Sequence, residues 1–388
     1  MNSPKKIICG ILILILWVIC SFIVPSMALE VETHRTINEY LADKNIALNG
    51  FSLHQYLQRQ LGLQNGSEEY LNSKKVFKWL GDGGVYEDEP PGCVPYWRSR
   101  NHFHNPMNKS GFSGWWDTGI FSGMSAVNWI LQPANTQSCG CYSWNDARDY
   151  YYKALTSPDK ATRETNLADA FRAIGQSMHL VQDMSVPEHT RNNGHYFFYD
   201  YEEWANGITI STYSATPFTS SGVFSFPIGN LFDTNQYNGV NPEVTTQSAI
   251  GLAEYTNANF LSPKTIFTAN FAYPDYFDTK PIEPKEYDPI SGKQILYLTK
   301  SGHGETIKYF ARARSFYNYL PIDYKKLDLT LDDPKVYESY ASKLIPRAIG
   351  YSADLLGYFF RGKIEIGLPM KPDGPVYALT DDQNLKDT

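Results

Sequence analysis

The segment HLVQDMSVPEHTRNNGHYFFYDYEEW, His179 to Trp204, places three of the chain's 8 histidines among Asp183, Asp200, Glu202 and Glu203. Imidazole and carboxylate together make a normal zinc ligand set, and both groups also carry protons. On a helix, His179 and Asp183 stand at i and i+4 and share a face one turn apart. Gly175, one turn earlier, removes side-chain bulk from that face where something must approach. Pro187 ends the helix and His189 follows, so three potential ligands gather around one helix C-terminus. His195 and Glu202 come next, Glu202 opening a second helix at YEEWA. Two upstream segments extend the pattern: ETHRTINEYL carries His34, and EDEPPGCVPYWRSRNHFHNP carries Asp88 and His102 fourteen residues apart. A lone buried histidine is more often a hydrogen-bonded core residue than a ligand. On that ground His54, His104 and His303 read as structural.

The elements that must position these residues read as mostly helical. Residues 34–80 carry leucines at helical spacing in LHQYLQRQLGL, and a Gly/Pro-rich loop follows at GDGGVYEDEPPGCVPYWRSRNHFHNP. SAVNWILQP, WNDARDYYYKALT and NLADAFRAIGQSMHLVQD form successive helices, the last starting at about Asn166 and stopping before Pro187. Residues 207–242, rich in Ser, Thr, Gly and Asn, read as a long surface excursion. A helix returns at about residues 245–261, QILYLTK-SGHG-ETIKYF is patterned as a β-hairpin, and a final helix spans about residues 334–361, interrupted or kinked at Pro346. The expectation is an all-α fold: one helical catalytic domain over residues 29–366, a small irregular and β insertion at 270–310, and a tail at 367–388.

Composition bounds the function. With 42% hydrophobic and 19% charged residues in 388, the chain can bury a sizeable core. Lys5 and Lys6, the apolar run from Ile7 to Val24 and Ser26-Met27-Ala28 read as a secretory signal over residues 1–28, cleaved after Ala28. The reading is a secreted, periplasmic or extracellular protein, with an uncleaved membrane anchor as the alternative, since eighteen apolar residues approach a membrane span. Removing the two lysines moves the net charge from −7 to −9, and an acidic chain does not hold polyanions through broad electrostatics. Phosphate chemistry would need a local cation. The mature chain keeps Cys93, Cys139 and Cys141, so at most one disulfide forms, Cys93 pairing with Cys139 or Cys141. No H-E-x-x-H, G-x-S-x-G, G-x4-GK[ST] or HD motif is present.

The ordered set His34, Asp88, His102, H179-x3-D183-x5-H189, His195 and Glu202 resembles the zinc-dependent phospholipase C and single-strand nuclease superfamily. NHFHNP is similar to that family's histidine-aromatic segment, and the resemblance spans roughly residues 29–262. It implies three zinc ions. Asp88, His102, His179 and Asp183 would hold one; His34, a bridging Asp183 and the amine and carbonyl of Leu29, the first residue after cleavage, would hold its neighbour; His189, His195 and Glu202 would hold the third, with Asp200 as the alternative to Glu202. Two departures stand out: the family's first residue is usually Trp, and its last histidine and carboxylate lie one turn apart, whereas His195 and Glu202 are seven residues apart.

The activity implied is phosphodiester hydrolysis by a zinc-bound hydroxide, with Asp88 and Asp183 catalytic and Asp88 as ligand or base. Glu87, Glu89, Asp200 and Glu203 are candidates to orient the ligands, solvated surface being the other reading. The acidic charge favours a phospholipid headgroup, with transient membrane-surface contact, over nucleic acid as the alternative substrate, and no protein partner is implied. Tyr96, Trp97, Phe103, Trp115 and Trp116 could stack a base, cage a choline or touch an interface; core packing is the other reading. An exported protein with a structural zinc cluster is the non-enzymatic alternative.

Overall fold

The computed structural model describes residues 31–48, 50–114, 118–194, 201–218, 227–247, 249–314 and 328–360. The helices are α1 (Val31–Leu41), α2 (Leu53–Gln60), α3 (Val76–Tyr86), α4 (Tyr96–Ser99), α5 (Ala126–Ile130), α6 (Trp144–Thr156), α7 (Lys160–Asp183), α8 (Pro187–Thr190), α9 (Tyr201–Asn206), α10 (Val244–Gln247), α11 (Leu252–Asn259) and α12 (Pro334–Phe360). The strands are β1 (Tyr70–Leu71), β2 (Lys74–Lys75), β3 (Thr279–Pro281), β4 (Glu286–Tyr287), β5 (Gln294–Ile295), β6 (Tyr297–Lys300), β7 (Ile307–Ala313) and β8 (Leu329–Thr330).

The all-α expectation is therefore corrected. Of the described residues 47% are helical and 9% lie in strands, which form three small antiparallel sheets, so the fold is mixed α/β with helix dominant. The expected hairpin exists as β6 and β7, but it sits inside a four-stranded sheet of order β3-β6-β7-β8. An isolated two-stranded hairpin is marginal in water. Here β3 and β8 pair with its edges, and its Phe310 packs on α12, where the Tyr340 hydroxyl donates to the Phe310 carbonyl at 3.0 Å. The added strands are too short to show alternation, and β3 ends on Pro281 at a sheet edge, where proline is tolerated.

Three further readings change. Helix α7 starts at Lys160, where Asp159 accepts from the Thr162 amide; its first turns are polar and exposed and carry no apolar period. The described parts of 207–242, residues 207–218 and 227–242, are anchored rather than merely superficial: Ile210, Phe218, Ile228, Leu231, Phe232 and Tyr237 are buried. The 216–217 segment crosses α12 at Gly350, where a Cβ would lie 2.1 Å from the Thr216 carbonyl oxygen. Helix α12 continues through Pro346 rather than being interrupted there. The signal segment and the tail lie outside the described residues, and no described helix is long and apolar enough to cross a membrane.

Helix α7 is the axis of the structure. Every residue from Ala173 to Asp183 is buried, because neighbouring helices cover it on several sides. The α3–α7 crossing is glycine-lined: a Cβ at Gly175 would lie 2.2 Å from the Leu80 carbonyl oxygen, and one at Gly83 would lie 2.3 Å from that of Arg172. What approaches Gly175 is thus helix α3, and the approach brings Asp88, just beyond the α3 C-terminus, against His179. On the other side α3 meets α1 at Gly84, whose Cβ would lie 3.1 Å from the carbonyl carbon of His34.

A candidate metal centre

Five of the expected ligands converge. Asp183 Oδ2 lies 3.0 Å from His102 Nδ1 and 3.4 Å from His179 Nε2, and its Oδ1 lies 3.4 Å from His34 Nε2. Asp88 Oδ1 is 3.4 Å from His102 Nδ1, and Oδ2 is 3.5 Å from His179 Nε2. All five side chains are buried. They form two overlapping ligand groups, His34–Asp88–His179 and His102–His179–Asp183, with ligand atoms within 4.8 Å of one another. This grouping differs from the partition implied by the resemblance, since His34 joins Asp88 and His179. His189 stands beside the cluster, with Nδ1 3.8 Å from Asp183 Oδ2 and Nε2 4.0 Å from Glu202 Oε1 on α9. Leu29, His195 and the alternative ligand Asp200 lie outside the described residues.

Hydrogen bonds outside the cluster set the imidazole tautomers. His179 Nδ1–H donates to the Gly84 carbonyl at 2.6 Å. The Gln182 amide donates to Asn38 Oδ1 and Ser352 Oγ, which turns its Oε1 toward His34, so His34 Nδ1–H donates to it at 2.6 Å. Both rings therefore present a bare Nε2 to the centre, as a metal ligand must. Eight ligand-type atoms of the five side chains are buried without a hydrogen-bond partner: His34 Nε2, both Asp88 oxygens, both His102 nitrogens, His179 Nε2 and both Asp183 oxygens. Buried polar atoms are nearly always satisfied. A cation would satisfy most of these at once, so the donor set fits a metal, and these groups could hold one.

The electrostatics agree. Burial lifts Asp88 well above the usual carboxylate range; His102 opposes this, while Asp183 and Glu87 add to it. Burial also raises Asp183, but His179, His102 and His189 overcome it and hold the carboxyl well below its usual range. His179 is pushed down to about 4 by burial and by His34. His102 is pushed up to about 10, because Asp183 and Asp88 outweigh burial.

Three orienting residues carry no specific sequence signal. Glu87 is fully buried, contrary to the solvated reading, and lies 3.5 Å from His102 Nε2. Gln182 and Asn38 tether His34. Glu87 sits in an acidic run that looks like a solvated loop; only a map of what surrounds it identifies its role. Glu89 and Glu203 are exposed. The histidines set aside are paired with protein groups: His104 with Ser125 and Asp233, His54 with Ser67, His303 with Asp278 and Glu243. Of the aromatics, Phe103 and Tyr96 are buried, Trp97 is exposed, and Trp115 and Trp116 lie outside the described residues. Cys93 pairs with Cys139, leaving Cys141 free. No family model, curated protein or solved structure matches the chain.

Proposed function

We propose that the protein is an exported zinc-dependent phosphodiesterase of the phospholipase C type, belonging to the superfamily its ligand motif resembles. The observation that carries this reading is the pair of imidazoles, His34 and His179, whose outer hydrogen bonds fix their Nε2 atoms toward Asp88 and Asp183. Bound zinc would supply an acidified water and a positive clamp on the phosphoryl oxygens. The chain's own residues do the rest. Asp183, within reach of three imidazoles of the cluster, would be the carboxylate that helps hold the metal, shared between ions if two bind as the resemblance implies. Burial strengthens Asp88 as a base, so its carboxylate, once ionised in the loaded site, is suited to accept a proton from an attacking water. His102 and His189 are clipped together, since His189 Nδ1–H donates to the His102 carbonyl at 3.1 Å and the His104 amide donates to the His189 carbonyl at 3.0 Å.

The test is zinc content together with turnover of phosphatidylcholine and single-stranded DNA, on mature protein starting at Leu29 and on Asp183→Asn. Two to three zincs, with phosphatidylcholine turnover that disappears in the variant, is the expected result. Turnover of DNA alone would make the protein a nuclease, zinc without turnover would make the cluster structural, and zinc-free wild-type protein would overturn the metal reading.

A further inference from the structure

We propose that Glu87 is a positioning residue for His102, and that the Cys93–Cys139 disulfide sets the affinity of the metal centre by fixing Glu87 through Arg98. The proposal rests on the metal reading of the cluster above and adds a relay leading away from it. His102 turns Nδ1 toward Asp88 and Asp183 and Nε2 toward Glu87 Oε1. Glu87 is gripped by three hydrogen bonds from two side chains. Arg98 reaches its Oε2 through Nε at 3.1 Å and Nη2 at 2.6 Å, and the Trp129 indole N–H donates to Oε1 at 2.8 Å. Every member is buried. A carboxylate on the outer nitrogen of a ligating imidazole fixes the ring and raises its basicity.

Arg98 is in turn held by the disulfide-bearing segment. Its Nη1 donates to the carbonyls of Ser138 and Gly140, at 3.0 and 3.1 Å, and its Nη2 to Gln137 Oε1 at 3.0 Å. Ser138 and Gly140 flank Cys139. Cys139 and Gly140 both have positive φ, +60° and +111°, and this left-handed turn between the two carbonyls brings both onto one guanidinium. For the non-glycine Cys139 that conformation is disfavoured and persists only where the surroundings impose it. The bond to Cys93, 46 residues earlier, is the covalent restraint on the turn. Opening it takes two electrons and two protons from a dithiol reductant, which closes to its own disulfide while Cys93 and Cys139 become thiols. The turn is then free to relax, Arg98 loses its carbonyls, and the carboxylate behind His102 loses its anchor.

The experiment uses the mature Cys141→Ser protein, so that the free thiol cannot reshuffle the bond, and two readouts: metal affinity by chelator competition, and the visible spectrum of the cobalt-loaded protein. Reduction by a dithiol should weaken affinity on the order of 10- to 100-fold and shift the cobalt bands, with far-UV circular dichroism retained. Glu87→Gln should do the same, and reduction of that variant should add little, because the two perturbations act on one pathway. Trp129→Phe, which removes one donor to Glu87 and leaves the Arg98 pair intact, is the milder variant should Glu87→Gln fail to fold; it should show a smaller shift of the same kind. Unchanged affinity and spectrum on reduction would overturn the relay, as would effects of Glu87→Gln and reduction that simply add. Parent protein that binds no metal would instead remove the centre itself, a separate failure.

Discussion

Gly175→Ala tests whether the α3–α7 crossing positions the centre. By helix propensity alone, alanine in the middle of α7 should stabilise by about 1 kcal/mol. The structure demands the opposite sign. The new Cβ would sit 2.2 Å from the Leu80 carbonyl oxygen and 3.0 Å from Gly83 Cα, where ordinary contact begins at 3.4 Å. Both obstacles are backbone, so the helices must part by about 1 Å to restore normal contact distances. That shift would stretch the His179–Gly84 hydrogen bond from 2.6 Å to roughly 3.6 Å, beyond hydrogen-bonding range. Overpacking costs roughly 1–3 kcal/mol and an unmet buried bond a similar amount, so the net destabilisation is on the order of 1–5 kcal/mol after the propensity gain. Metal affinity should fall with it, because Asp88 and His179 are carried by the two separating helices. Urea unfolding of chelator-treated protein gives the first quantity and chelator competition the second. A variant as stable as wild type, with undiminished metal affinity, would refute the claim that this crossing sets the geometry.

Gln182→Leu removes the acceptor that fixes the His34 tautomer and strands Asn38 Oδ1, so metal affinity should drop on the order of 10- to 100-fold while the helices persist; an unchanged affinity would show that His34 needs no orientation. Metal binding at pH 8 should release at least one proton, because His102 keeps its proton to about 10 and only the neutral ring ligates. Affinity should therefore rise with pH toward 10, and calorimetry in two buffers of unequal ionisation enthalpy counts the proton. The same group gives the metal-free protein the opposite trend. Its folded value lies above the ordinary 6.5, so the stability it contributes is complete below 6.5 and lost as pH rises toward 10. No proton release at pH 8 would contradict both statements.

What the sequence could convey was local. His179 and Asp183 share a face because helical spacing puts them there, and Gly175 was legible as a point of close approach. That helix α3 makes the approach depends on Gly83 meeting Gly175, a match between segments ninety residues apart that no periodicity records. The four-stranded sheet escaped notice because its outer strands, β3 and β8, are three and two residues long, shorter than any pattern of alternation. The 207–242 segment misled through composition: its Ser, Thr and Asn content reads as solvent-facing, while sparse anchors such as Phe218 and Leu231 are what the core takes up. Phe218 is further fixed by its amide, which donates to the buried Asp354 carboxylate on α12 at 2.5 Å. Glu87 shows the limit most sharply, because burial of one acid in an acidic run is decided entirely by Arg98 and Trp129 arriving from elsewhere.

Orphaned polarity is not sufficient to identify a ligand, and the molecule supplies its own control. Glu188 is fully buried with neither oxygen hydrogen-bonded, and burial pushes it up to about 8 despite Arg191, so at neutral pH it is mostly a neutral acid and asks for no cation. Gln176, equally buried and equally unpartnered, carries no charge at all. Asp183 experiences the same desolvation but is held ionised by the imidazoles around it. The difference lies in convergence: donors from α1, α7, the end of α3 and the loop after α4 meet at one point, with the tautomers of His34 and His179 already set. Burying that many polar groups together is costly unless something offsets it, and a sequence that keeps such a violation of its own packing rules marks the place where function outweighs stability. A cation is the one species that would offset the Asp183 charge, take the place of the proton that burial favours on Asp88 and occupy the imidazole lone pairs at once, which is why the metal reading stands on geometry rather than on the number of unsatisfied atoms.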